Sequence, residues 1–242
     1  MLTTTDLTSP PPGDTSHSRR RPIGDISARL AGAGGITFAA IVMLQNILRG
    51  ATSPGNGASN AELLTHYADH RGITFVLVGT FVLSGAGLAL FLGGAMRRML
   101  AGERRGWALT GFVGAVGIMA VFAVVVGTEQ ALSVVATRNQ PSPAAMEALW
   151  ALHNSVFTVL DLFIAAALLG LSRAGIAAGI TPRAFARLAP VASAMLMVGS
   201  IAGPSIAAGD AMPLFGVAGL GFAVWLAFLT TTGIRLVRSS ES

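Results

Sequence analysis

The chain has 242 residues, of which 52% are hydrophobic and 11% charged, whereas a soluble domain carries about a quarter charged residues. So little polar surface cannot cover a water-facing globule, so lipid must be part of the solvent. The net charge of +5 forms no basic face and no basic helix interleaved with aromatics, which argues against a nucleic-acid partner, and the lack of cysteine excludes disulfides, thiolate nucleophiles and Cys-ligated metals.

Residues 1–27 are rich in Ser, Thr and Pro and end in Arg19-Arg20-Arg21 and Ile23-Gly24-Asp25. They read as a disordered cytoplasmic tail rather than a secretory signal, because no apolar core follows the initiator region. From there the charges fall into gaps: Leu30 to Leu48, Gly72 to Met96, Gly106 to Thr128, Leu188 to Gly209 and Ala211 to Ile234 are uncharged. A sixth gap, Ala148 to Ser172, is interrupted only by His153 and Asp161. About 20 helical residues cross the hydrocarbon core, and no segment alternates as a barrel strand would. The expected fold is therefore all-α: a transmembrane bundle over residues 28–238 with six spans, at about 28–48, 72–96, 106–128, 148–172, 187–208 and 212–234.

The arginines orient it. With the N-terminus inside, only Arg49, Arg71 and Arg138 of the 16 basic residues, all Arg, lie outside. That is a strong positive-inside bias, which places both termini in the cytoplasm and the chain in a plasma (inner) membrane.

Local signals mark the connections. Ser59 and Glu62 have capping-box spacing, which starts a short loop helix running to about His70. Leu63, Leu64 and Tyr67 share one of its faces, which suits a helix lying on the membrane surface. Ser142-Pro143 is an N-cap followed by a first-turn proline, so the fourth span begins above the membrane and passes Trp150 as an interfacial anchor. Ala208-Gly209-Asp210-Ala211 closes the last two spans into a hairpin. Small residues recur at helical spacing at Gly111, Gly114 and Gly117, at Gly199 and Gly203, and at Gly35 and Ala39. They permit close helix packing within one chain, and the alternative is a face for a homo-oligomer or membrane partner. Gly85-x-Gly87 follows no strand and is no nucleotide fingerprint.

Four short stretches carry a resemblance. Arg29-Leu30-Ala31-Gly32, Leu44-Gln45-Asn46-Ile47-Leu48-Arg49, Tyr67-Ala68-Asp69-His70-Arg71-Gly72 and Leu149-Trp150-Ala151-Leu152-His153-Asn154 resemble a group of small actinobacterial membrane proteins classed as a domain of unknown function. The likeness covers roughly residues 28 to 237. It implies a six-span fold and supplies no activity.

Asp161 lies midway between Trp150 and Arg173, near the bilayer centre, where a carboxylate costs about 2.5–3.5 kcal/mol on the insertion scale. Asn154 and Thr158 precede it by seven and three residues, on the same helical face. No basic residue is expected at that depth, and Thr37, Ser84, Ser200 and Trp225 are the available partners. Asp161, with Asn154 and Thr158, is either a proton or cation site or a neutral acid, satisfied by hydrogen bonds, that fixes helix register.

A second polar group lies near the outer surface: Gln45 and Asn46 end the first span, Glu129 and Gln130 end the third, and His153 begins the fourth. Glu129 and His153 could hold a proton or a divalent metal, joined by His66 and His70 at the helical spacing of a ligand pair. Tyr67 follows His66 where a metalloprotease motif needs Glu, and solvated interface residues are the simpler reading; no metal or cofactor is assigned. With no nucleophile motif and no soluble domain, the sequence points away from an enzyme. The reading that leads is a transporter-like or proton/cation-linked membrane protein centred on Asp161; the alternative is a non-catalytic scaffold or accessory subunit.

Overall fold

A computed structural model describes residues 23–239, with side chains from Ser27 onward. Most of the N-terminal tail therefore lies outside the described residues. Residues 23–27, read from sequence as tail, instead begin the first helix.

The described residues are all-helical: α1 (Ile23–Thr52), α2 (Asn60–Asp69), α3 (Arg71–Ala101), α4 (Arg105–Ala136), α5 (Pro143–Ala177), α6 (Phe185–Ile201), α7 (Gly203–Ala207) and α8 (Met212–Arg238). Five of them, α1, α3, α4, α5 and α8, are long and apolar enough to cross a membrane, as in a multi-pass membrane protein. The stretch expected as the fifth span is instead divided. Helix α6 stops at Ile201, and α7 restarts with Pro204 in its first turn. Proline has no N–H to continue the α6 ladder, and its ring disfavours helix at the residue before it, so the break falls where those two effects act.

The long helices and α6 form a closed ring in which α1 packs on α3, α3 on α4, α4 on α5, α5 on α6, α6 on α8 and α8 back on α1. Small residues set these contacts. A Cβ on Gly111 would meet the backbone of Gly170 and Leu171, and one on Gly114 would meet the backbone at Phe163 and Ala167, across the α4–α5 seam. Gly34 and Gly87 bring α1 onto α3, and Gly32 and Gly233 bring α1 onto α8. Gly199 faces Ala218 of α8, and Gly203 faces Thr158 of α5. The small-residue spacing thus serves contacts within the chain. Close packing of this kind is what associates helices where lipid removes the hydrophobic drive.

Helix ends follow local chemistry. Ser59 Oγ accepts from the Glu62 N–H at 3.3 Å while Glu62 Oε2 accepts from the Ser59 N–H at 2.7 Å, a complete capping box. Those hydrogen bonds hold the Glu62 carboxyl below its ordinary range. Ser142 caps α5 through the Ala145 N–H, with Pro143 at the first turn. Gly179, at φ +74°, ends α5 in a Schellman turn: the N–H of Ile180 reaches Gly175 O at 2.9 Å and that of Gly179 reaches Ile176 O at 3.1 Å.

Two expectations are corrected at the α2 end of the bundle. Leu63 and Tyr67 are buried against Leu132, Met146 and Trp150, so the apolar face of α2 turns onto the ends of α4 and α5 rather than onto lipid. Trp150 is 6% exposed, donates its indole N–H to Asn56 O at 3.2 Å and stacks on His153. Its ring is thus turned into the protein rather than toward lipid. The ends of α4 and α5 supply the apolar shelf on which α2 packs.

Candidate functional site

Two polar centres are placed by this bundle, one near its α2 end and one at mid-height. At the α2 end, Arg49 from the last turn of α1 reaches Glu129 of α4. Its Nε donates to Oε1 at 2.6 Å and its Nη2 donates to Oε2 at 2.9 Å. The pair is buried, with Arg49 7% and Glu129 3% exposed. The two parallel bonds use the fork geometry of guanidinium and fix both carboxylate oxygens. His153 Nε2 lies 3.3 Å from Glu129 Oε1, and its Nδ1 lies 3.2 Å from Asn154 Oδ1. The ring is clamped by Trp150, stacked at 5.1 Å between centroids. Arg49 also lies over the Phe122 ring at 5.3 Å.

Sequence reasoning grouped Glu129 with His153 but treated Arg49 only as a topology charge. Its partner is 80 positions away and becomes visible only in the folded bundle. The available signal was Gln45, four residues before Arg49 on the same helical face. Gln45 is buried, and its amide donates to Leu77 O at 3.1 Å and Thr80 Oγ1 at 2.8 Å of α3. Asn46 does not join this group. It donates to Val42 O at 2.8 Å and faces the second centre. Arg49 Nη1 and Gln45 Oε1 are buried with no hydrogen-bond partner.

The arrangement is unsuited to a metal, because a cation at Glu129 must displace a guanidinium from both oxygens. His66 and His70 stack on each other at 4.5 Å, and His70 Nδ1 faces His66 O at 3.0 Å. Among the described residues no group of three or more His, Asp or Glu side chains is placed to hold a metal. Burial, followed by repulsion from His70, holds the His66 ring below its ordinary pKa. The Tyr67 phenol, beside the ion pair, is pushed up by burial and by the Glu129 charge.

The second centre is Asp161, at mid-height of α5, eight residues and so about 12 Å along the helix from His153. A cavity of about 350 Å³ reaches it between α1, α4, α5 and α8. Its walls are apolar, with Phe38, Phe122, Phe157, Phe215, Phe222 and Trp225 supplying aromatic faces; among the described residues Asp161 is the only ionisable side chain in the lining and Asn46 is the other polar side chain besides the Trp225 indole. At its outer side Met43 and Ile47 of α1 and Phe215 of α8 are exposed. Helices α1 and α8 touch at Gly32 and Gly233, toward the other end, and the space lies beyond that crossing. One carboxylate oxygen of Asp161 rests where a Cβ on Gly199 would meet it at 2.8 Å, so a glycine makes room for it.

Of the partners available to Asp161, none bonds it. Among the described residues its carboxyl makes no hydrogen bond and no ion pair. Ser84 donates to Phe81 O at 2.8 Å, Thr37 is exposed away from the site, and Trp225 lines the cavity without bonding the acid. Ser200 makes no bond to it either. Asn154 and Thr158 are buried on the same face of α5 but make no hydrogen bond to it. Asn154 serves His153, and the Thr158 hydroxyl donates to Ser155 O at 2.8 Å and packs on Gly203.

The two centres share walls. Phe122 carries Arg49 on its ring and lines the cavity, and Phe157 sits 6.0 Å from the His153 ring and lines it as well. No protein-family model, curated protein or solved structure matches this chain.

Proposed function

We propose that this is a six-span membrane protein with both termini inside, acting as a transporter-like, proton- or cation-linked protein through Asp161. The single observation that supports the activity is a lone carboxyl facing a cavity with no partner of its own. A carboxyl kept only for helix register would be enclosed by hydrogen-bond donors, since burying an ionisable group without compensation is costly. An ionisable residue inside a membrane bundle is a functional candidate by default.

In the proposed topology α6 and α7 together supply the fifth span, and the arginine-rich helix ends face the cytoplasm. There Arg98 donates to Ser239 Oγ at 3.1 Å and Arg173 lies over Trp107 at 5.9 Å. The natural absence of cysteine allows a direct test. In intact cells a membrane-impermeant thiol reagent labels Gly57→Cys and Ser142→Cys and leaves Gly102→Cys unlabelled. The opposite pattern reverses the orientation.

The activity is tested in proteoliposomes. Asp161→Asn keeps the side-chain shape but cannot ionise, so it abolishes proton- or cation-dependent flux while the protein stays folded. A wild-type protein that moves neither protons nor cations under an imposed gradient leaves the scaffold role in place of transport.

A further inference from the structure

We propose that the Asp161 cavity binds a lipophilic organic monocation, with its charge on the Asp161 carboxylate and its apolar body against Phe122, Phe157, Phe215 and Trp225; this rests on reading Asp161 as the working group. The lining selects by exclusion. An anion finds no positive side chain in the described lining and is repelled by Asp161 once that group ionises. An inorganic cation that sheds its water needs several oxygen ligands, as calcium does, and the lining side chains offer only those of Asp161 and Asn46. A hydrocarbon tail fits the walls but leaves the carboxyl unsatisfied.

An organic cation needs one counter-charge and carries its own apolar shell. Aromatic faces add attraction, strongest where the cation is desolvated. Arg49, which lies over Phe122 of the lining, does not compete for Asp161, because Glu129 holds its guanidinium bidentately. The cavity, at about 350 Å³, falls in the range of roughly 300–1,000 Å³ typical of small-molecule sites. Met43, Ile47 and Phe215, exposed at its outer side, give the cavity an apolar mouth that suits a lipophilic cation.

Equilibrium binding of radiolabelled tetraphenylphosphonium to the purified full-length protein tests this, with radiolabelled tetraphenylborate, measured in separate samples, as the probe of matched shape and opposite charge. Wild type binds saturably, and Asp161→Asn weakens binding by about tenfold or more, equivalent to about 1.4 kcal/mol. Gly219→Leu weakens it similarly, because Gly219 lines the cavity and a Cβ there meets nothing within 4 Å, which leaves the longer side chain room to take up cavity space. Gly79→Leu, at an open position of α3 away from the cavity, leaves binding unchanged. Equal binding by wild type and Asp161→Asn, or equally strong saturable binding of tetraphenylborate on its own, overturns the proposal in favour of partitioning or a neutral lipid site. Saturable binding without proton or cation flux keeps this ligand and removes transport. Asp161-dependent flux without binding keeps transport and removes this ligand class.

Discussion

Arg49→Ala destabilises the protein by about 3–5 kcal/mol, the cost of breaking a buried ion pair from one side. The reason is what remains. Glu129 stays buried, with both oxygens deprived of their guanidinium donors and with only His153 within reach. The loss also removes the stem and charge that lie over Phe122. The converse change, Glu129→Gln, leaves an amide that still accepts one bond, so its cost is smaller. Arg49→Met with Glu129→Leu restores an apolar contact and recovers most of the loss, since well-packed hydrophobic replacements of buried pairs are often neutral or better. The costs of the single variants therefore do not add. Denaturant unfolding in mixed micelles reads all three. A cost below about 1 kcal/mol for Arg49→Ala would show that the pair behaves as an exposed one.

The same pair shows what a sequence exposes and what it hides. Desolvation of charge acts residue by residue, so the gap from Gly72 to Met96 locates α3, whose observed limits are Arg71 and Ala101. The capping box at Ser59 and the Ser142-Pro143 start of α5 are likewise contacts within three residues, and spacing alone specifies them. Asp161 was legible as a position, because its depth on α5 follows from helix rise. Its surroundings were not, since the cavity depends on how α1 and α8 separate beyond Gly32 and Gly233. Nor was the role of Trp150, where sequence shows an aromatic at membrane depth and only packing shows α2 and His153 covering it. Arg49 illustrates the general reason. A charge near a helix end has the same sequence signature whether it meets water or a buried carboxylate 80 residues away.

Small-residue faces lie between these cases, because their spacing is legible but their partner is not, and their energetics can be ranked. Gly170→Ala is expected to cost about 1–3 kcal/mol, the range for overpacking a tight contact. The added methyl meets the backbone N and Cα of Gly111 and the Trp107 carbonyl, and backbone cannot rotate out of the way as a side chain does. Helices α4 and α5 must separate, which loosens the largest helix–helix contact in the bundle and the neighbouring Gly114–Ala167 crossing. Gly117→Ala is milder, because the atoms nearest its Cβ belong to the Phe163 ring, which can swing aside. Gly79→Ala and Gly127→Ala meet nothing within 4 Å, and they gain up to about 1 kcal/mol from the lower backbone entropy of alanine in a helix. Unfolding in mixed micelles should give that order: Gly170→Ala least stable, Gly117→Ala next, and Gly79→Ala and Gly127→Ala at or above wild type. If Gly170→Ala unfolds like Gly79→Ala, the α4–α5 seam is not held at backbone contact. The glycine face of α4 would then be free for a second copy of the chain.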